Sequence, residues 1–119
     1  MLYHKECIIP SNIKMQVLSV LNKFKYNPLS FTNHAREQLK EELNPIDIAK
    51  VLYHYVFDYN DVFEVNESAG QVEKIGFRIG FNSRDIVFVI SKDKHIVTLW
   101  TNSKNDKHST LNKQIYAIT

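Results

Sequence analysis

Apolar residues in the first part of the chain recur with the period of an α-helix. After Ser11, a residue type that caps helices well, Ile13, Val17 and Leu21 fall on one stripe, which predicts a helix over residues 11–26. A proline follows shortly afterwards, and the residue before a proline is disfavoured in the α region. The first helix is therefore expected to end there.

Two more helices are predicted before the pattern changes. The second, over residues 33–43, carries only a narrow apolar stripe. The third, over residues 45–57, begins with strong signals, because Asn44 can cap it and Pro45 suits its first position. Apolar residues surround nearly its whole circumference, so it is expected to be the central buried helix, lying across one face of a sheet.

After about Asp58 the apolar period changes from that of a helix to that of a strand. Strands are predicted near residues 61–67, 72–81, 85–91 and 94–101. The second strand alternates apolar residues with polar residues and glycines, so one sheet face should be packed and the other open. The predicted fold class is α+β, with three N-terminal helices followed by a four-stranded antiparallel meander in a single domain, residues 1–119. The side chains expected to be among the most buried are Leu52, Phe77, Ile79, Phe88 and Val97.

Composition is that of an ordinary globular domain, with 119 residues, 44% hydrophobic and 24% charged. No run approaches the roughly 20 apolar residues of a membrane span, and the N-terminus lacks the pattern of a signal peptide. The single cysteine, Cys7, cannot form an internal disulfide, which favours a reducing compartment. We therefore expect a cytoplasmic protein that does not act in a membrane.

Charge is distributed unevenly along the chain. Residues 1–70 carry seven Lys or Arg against nine Asp or Glu, whereas residues 71–119 carry eight against four. The resulting net charges, −2 and +4, give the formal total of +2. A cationic half of this kind suits a partner that is rich in phosphate, such as RNA.

Candidate chemistry rests on cations, histidines and hydroxyls. No metal, phosphate-loop or dinucleotide signature is present, so no metal or cofactor is expected. No His or acidic residue follows Cys7 at a useful spacing, so a cysteine nucleophile has little support. Arg78 lies in mid-strand on the open face between two glycines, and His34 lies at the start of the second helix. Lys107, His108 and Thr110 follow the last predicted strand, with Tyr116 after them. Together these residues could supply the base, acid and cation that cleave RNA through its own 2′-hydroxyl.

Each of these residues also has a purely structural interpretation. Arg78 could be a solvated strand residue, His34 a partly buried packing residue, and Tyr116 a core aromatic. The polar segment around His108 could be a solvated connection. The residue pattern alone leaves both interpretations open.

The stretch Phe31–Leu39 and the strand ending Val97–Trp100 resemble the small toxin-like domains of the RelE/BrnT type. The His-Ala-Arg-Glu helix is similar to one branch of that group, and the segment Asp106–Leu111 is similar to phage- and plasmid-borne members. The resemblance covers about residues 30–117. It implies an α+β fold with helices before a four-stranded antiparallel sheet, of the RelE or barnase-like type, and metal-independent ribonuclease activity. It implies a catalytic set of His34, Arg78, His108, Thr110 and Tyr116, with Arg36, Lys74 and Lys107 binding the substrate.

The function expected from this resemblance is a metal-independent endoribonuclease, toxin-like, cleaving RNA through its 2′-hydroxyl. Its partners would be RNA and an antitoxin or a host protein. The alternative is a non-catalytic phage- or plasmid-encoded protein that binds or inhibits a host protein or an RNA-associated complex. Two departures favour the alternative: the first helix, residues 11–26, is longer than a minimal toxin of this type needs, and the net charge is low for such a ribonuclease.

Overall fold

The computed structural model describes residues 1–4, 8–24 and 30–103. Three α-helices lie in this part of the chain: α1 (Ser11–Phe24), α2 (Asn33–Lys40) and α3 (Pro45–His54). Six strands lie in it: β1 (Leu2–His4), β2 (Ser30–Phe31), β3 (Val62–Ser68), β4 (Gln71–Phe81), β5 (Arg84–Ser91) and β6 (His95–Ser103). A short 3-10 turn, Tyr59–Asp61, leads into β3. None of the described helices is long and apolar enough to cross a membrane.

The six strands form one mixed sheet in the order β1-β3-β4-β5-β6-β2. Its four long strands are antiparallel neighbours, but β1 pairs antiparallel with β3, and β2 pairs parallel with β6, where Ser30 lies opposite His95. The prediction of a four-stranded antiparallel meander of the RelE or barnase-like type is therefore wrong, because the sheet is larger and partly parallel. The two additional strands have three and two residues, too few to show a strand period in the sequence.

Helix α2 lies along the edge of β6 beyond the short strand β2. The Thr32 hydroxyl caps the helix by accepting a hydrogen bond from the Ala35 N–H, 3.2 Å away. Further along, the side-chain oxygen of Gln38 accepts hydrogen bonds from the Leu99 N–H (3.0 Å) and the Thr98 hydroxyl (2.6 Å). The helix thus satisfies a backbone donor that an exposed edge strand would leave to solvent.

The core lies between the helices and one face of the sheet. Leu52, Phe77 and Phe88 are buried as predicted, but Ile79 and Val97 are only partly buried. Residue 97 falls at a break in the register between β5 and β6, and such irregularities turn a side chain away from its expected position. The prediction that these two residues are among the most buried is wrong, although Ile79 still packs against the core.

Helix α3 is less buried than predicted. Of its apolar residues only Ile48 and Leu52 are buried, whereas Ile46 is 71% exposed and Tyr53 70% exposed. Helix α1 supplies more of the core, namely Ile13, Val17, Leu21 and Phe24. The central buried helix was thus assigned wrongly, because apolar residues around a helix do not show which of them find a partner.

The sheet face opposite the helices is more closed than predicted. Val87 and Val89 alternate with the core residue Phe88 and point to this second face, yet both are fully buried. On the neighbouring strand, a Cβ added to Gly76 would lie 2.9 Å from the ring of Phe63. The glycine therefore makes room for an aromatic side chain rather than for a ligand.

Candidate functional site

The predicted site residues fall into two groups. The described part of the chain contains His34, Arg36, Lys74 and Arg78. The others lie outside the described residues: Lys107, His108, Thr110 and Tyr116.

The four described residues are not brought together. His34 and Arg36 are exposed on α2, which lies along the edge of β6. Lys74 and Arg78 lie on β4, and β5 and β6 separate β4 from α2. Because neighbouring strands are about 4.8 Å apart, the two pairs lie at different places on the molecule.

Arg78 is held by its neighbours on the second sheet face. Its Nε donates to Asp85 Oδ2 at 2.8 Å, and its Nη2 donates to the Ser103 carbonyl at 2.9 Å. The two charged side chains are only 18% and 16% exposed. These contacts tie β4, β5 and the end of β6 together, so the guanidinium has a structural role and its charge is already compensated.

A second polar pair on this face was missed by the sequence analysis. Glu64 is fully buried, and its Oε2 lies 3.4 Å from Nδ1 of His4. The register of β1 on β3 places the two residues directly opposite each other. The sequence did contain a signal for this pair, because Glu64 lies between apolar residues of a predicted strand. A carboxylate buried in such a strand requires a partner.

A third polar pair lies where β2 meets β6. The Ser30 hydroxyl is hydrogen-bonded to Nδ1 of His95, and both side chains are exposed. A nucleophile and base of this kind act together when a third group orients the base. The described contacts of His95 include no such carboxylate, so the pair lacks the geometry of a catalytic triad.

The described residues contain no group of three or more His, Cys, Asp or Glu side chains that could hold a metal ion. A cavity of about 400 Å³ lies between the α2–α3 connection and the β4–β5 turn. Two of its polar residues are engaged in hydrogen bonds: Glu42 Oε2 accepts from the Thr101 hydroxyl (2.9 Å), and Arg84 Nη2 donates to the Thr101 carbonyl (3.2 Å). Glu42 and Arg84 are thus held by contacts with Thr101, which also lines this cavity.

A larger groove, of about 740 Å³, lies between α1 and the residues that follow α3. It is lined by Leu18, Leu21, Asn22, Phe24, Tyr55, Val56, Phe57, Asp58 and Tyr59. We call this surface the α1 groove. Leu18 is 44% exposed and Val56 77% exposed, so large apolar side chains remain in contact with solvent along it.

The wall of the α1 groove is a fixed aromatic cluster. The ring of Tyr55 packs edge-to-face against Phe57, Phe77 and Phe88, with centroids 5.1 to 5.9 Å apart. Its hydroxyl donates to Asp61 Oδ2 at 2.6 Å. Burial, and then this hydrogen bond, raise the pKa of Tyr55 far above its ordinary value. Tyr55 is therefore a neutral, rigid part of the wall and is poorly suited to proton transfer.

Comparison with known protein families, with curated proteins and with solved structures finds no match for this chain. The resemblance to the RelE/BrnT type therefore stays a prediction, and a function must be argued from the surface itself. Of the surfaces described, the α1 groove combines concavity, aromatic walls and exposed apolar residues, which are properties of binding sites.

Proposed function

We propose that this protein is a non-catalytic binding module that docks a segment of another protein in the α1 groove. The observation that carries the proposal is the exposure of Leu18 and Val56 beside an aromatic wall. Full burial of an aliphatic side chain of this size contributes about 1.5–3 kcal/mol, and part of that stabilisation is forgone while the side chain stays exposed. Apolar residues grouped around a concave surface, rather than scattered singly, are typical of interaction sites.

The extent of the apolar surface favours a protein over a small molecule. Met15 lies one helical turn before Leu18 on α1 and is 70% exposed, so the apolar surface continues beyond the groove. A small ligand would fill the groove and leave Met15 in solvent, whereas a protein segment can cover both. Methionine also adapts its shape readily to a partner.

The polar groups of the groove indicate the chemistry of the partner. Asp58 is exposed at the groove, and its Oδ1 accepts a hydrogen bond from the Asn60 N–H at 2.9 Å, which fixes the carboxylate in place. A partner segment that places a basic residue beside an apolar anchor would match this arrangement. The anchor would pack against Leu18 and the aromatic wall.

The endoribonuclease hypothesis has less support from the described residues. Arg78, the cation it needs at the phosphate, is already ion-paired with Asp85. His34 and Arg36 lie elsewhere, on α2. That hypothesis remains a prediction from the sequence, and its test is separate from that of the groove.

Site-specific photo-crosslinking in cells tests the docking proposal. A photo-reactive amino acid replaces Asn22, an exposed residue of the groove, and in a matched control it replaces Arg36, an exposed residue of α2. We expect a discrete protein adduct from position 22 that the control lacks and that Leu18→Asp abolishes. The same adduct should form between the purified protein and the purified partner.

Two results would overturn the docking proposal. One is the absence of any adduct from position 22 in every growth condition tested. The other is an adduct that persists in Leu18→Asp although circular dichroism shows the variant to be folded, because such an adduct would not depend on the apolar groove.

A further inference from the structure

Helix α3 carries a second apolar stripe that the core does not use. Ile48 and Leu52 face the core. On the opposite side, Ile46, Ala49, Lys50 and Tyr53 follow one another at intervals of three and four residues and therefore share one face. Ile46 and Tyr53 are both about 70% exposed on this stripe, at 71% and 70%. We call these four residues the α3 seam.

The exposed apolar residues of this region are spaced symmetrically. Ile46 and Tyr53 lie equally far from the midpoint between Ala49 and Lys50. Just beyond the two ends of α3, Leu43 (93% exposed) and Val56 (77% exposed) are again equally far from that midpoint. A helix with this spacing is complementary to a second copy of itself placed antiparallel, because each apolar residue then meets another one.

Charge adds a second kind of complementarity. Asp47 lies beside the α3 seam, on the side where Lys50 projects, and both residues are exposed. A two-fold axis perpendicular to two antiparallel helices brings the same flanks together, as isologous interfaces require. Asp47 of one copy then lies about 3 Å along the helix axis from Lys50 of the other, given the rise of about 1.5 Å per residue. The opposite charges can pair twice on this flank, once on each side of the two-fold axis.

We propose that α3 pairs antiparallel with α3 of a second copy of this chain, with the two-fold axis beside Ala49 and Lys50. Ile46 of each copy packs against Tyr53 of the other, and the small side chain of Ala49 lets the two helices approach closely. None of the four residues of the α3 seam lines the α1 groove, and only the flanking Val56 lies at both surfaces. This inference therefore goes beyond the proposed docking function and does not rest on it.

The contact is small compared with a permanent interface. It consists of one helix of ten residues and its two flanks, whereas standard interfaces involve about 20–30 residues on each side. We therefore expect a reversible dimer with a dissociation constant of about 1–100 μM, which makes the monomer and the dimer both measurable.

Sedimentation velocity of the full chain over about 1 μM to 1 mM tests the pairing. Wild type should shift from monomer to dimer across this range. Ile46→Asp should raise the dissociation constant at least about tenfold, because it places a charge against Tyr53 of the second copy. Leu18→Asp is the matched control: it makes the same kind of change at an exposed apolar residue outside the seam, and it should leave the dissociation constant within about threefold of wild type.

Charge reversal tests the antiparallel geometry. Asp47→Lys alone should weaken the dimer, because it faces Lys50 of the second copy with a like charge. The double variant Asp47→Lys, Lys50→Asp should restore the dissociation constant to within about threefold of wild type, since opposite charges pair again. Circular dichroism and thermal unfolding of each variant, measured at concentrations where it is monomeric, separate weaker pairing from loss of the helix.

Three outcomes would overturn the pairing. Wild type could be monomeric throughout the concentration range. Leu18→Asp could weaken the dimer as much as Ile46→Asp, which would place the contact elsewhere. The double charge reversal could fail to restore what Asp47→Lys removed, which would contradict the antiparallel arrangement.

Discussion

Arg78 on β4 donates a 2.8 Å hydrogen bond from Nε to the carboxylate of Asp85 on β5, and both side chains are largely buried. The sequence analysis predicted that Arg78 supplies the cation that binds the RNA phosphate. A phosphate would have to compete with Asp85 for the same guanidinium. The Asp85 carboxylate would have to leave the guanidinium before a phosphate could replace it. Because both side chains are partly desolvated, breaking this ion pair has a free-energy cost. The contact thus favours a role of Arg78 in stability.

Arg78→Ala should destabilise the fold by about 2–4 kcal/mol, because it leaves the Asp85 carboxylate without its cation and the Ser103 carbonyl without a donor. The free energy of unfolding in urea measures this loss. Asp85→Ala in the same background should recover part of it, since the carboxylate that lost the Arg78 guanidinium is then removed. A loss below about 0.5 kcal/mol for Arg78→Ala would instead be typical of a solvated surface residue.

Tyr55 should make stability depend on pH at the alkaline end. Its folded pKa is raised well above the ordinary value of about 10, so the folded protein keeps the phenol proton that the unfolded chain releases. This contribution is fully present below pH 10, and it is lost as pH rises further, with a slope of up to about 1.4 kcal/mol per pH unit. Denaturant unfolding between pH 8 and 11.5 measures that slope.

Tyr55→Phe is the control for that pH profile. It should lower stability near neutral pH by about 1–2 kcal/mol, because Asp61 loses the 2.6 Å hydrogen bond from the phenol. It should also flatten the decline above pH 10. Tyr59, whose pKa burial also raises, contributes a smaller part that Tyr55→Phe retains. An unchanged slope in this variant would contradict the assignment of the effect to Tyr55.

The long helix and strands could be predicted because each extends over enough residues for the spacing of its apolar positions to show a period. The helix at residues 11–24 and the long strands follow from such patterns. The strands β1 and β2 could not be predicted, because three and two residues show no period and their pairing depends on residues far along the chain. The mixed character of the sheet was missed for that reason.

Burial and the site were harder to predict than the elements. Ile46 and Ile48 are chemically identical, yet one is 71% exposed and the other 1% exposed, because only the second meets the core. Leu18 lies beside the apolar stripe of its helix, so the pattern does not require it to be buried. The α1 groove depends on which of these residues stay exposed after folding, and that is decided by tertiary packing. The sequence analysis instead selected charged and titratable residues such as His34 as the candidate site.

Gln38 should contribute more to the free energy of unfolding than its exposed neighbours on α2. Gln38→Ala removes the acceptor for the Leu99 N–H and the Thr98 hydroxyl, so it should cost about 1–2 kcal/mol in the free energy of unfolding. Glu37→Ala, which removes only an exposed pair with Lys40, should cost less than about 0.5 kcal/mol. Equal losses for the two variants would show that the edge contact of α2 does not contribute to stability.

Purified protein should leave RNA intact if it is a binding module. The decisive assay uses a long RNA without added metal and with a chelator present, because the expected reaction uses only the RNA 2′-hydroxyl and protein groups. Such cleavage would leave 2′,3′-cyclic phosphate ends, which distinguishes it from contaminating nucleases that hydrolyse the chain by other routes. Cyclic-phosphate products that disappear in both His34→Ala and His108→Ala, with either variant as stable as wild type, would contradict the binding proposal. Because His34 is exposed, its replacement should change stability by no more than about 0.5 kcal/mol, so lost cleavage could not be attributed to unfolding.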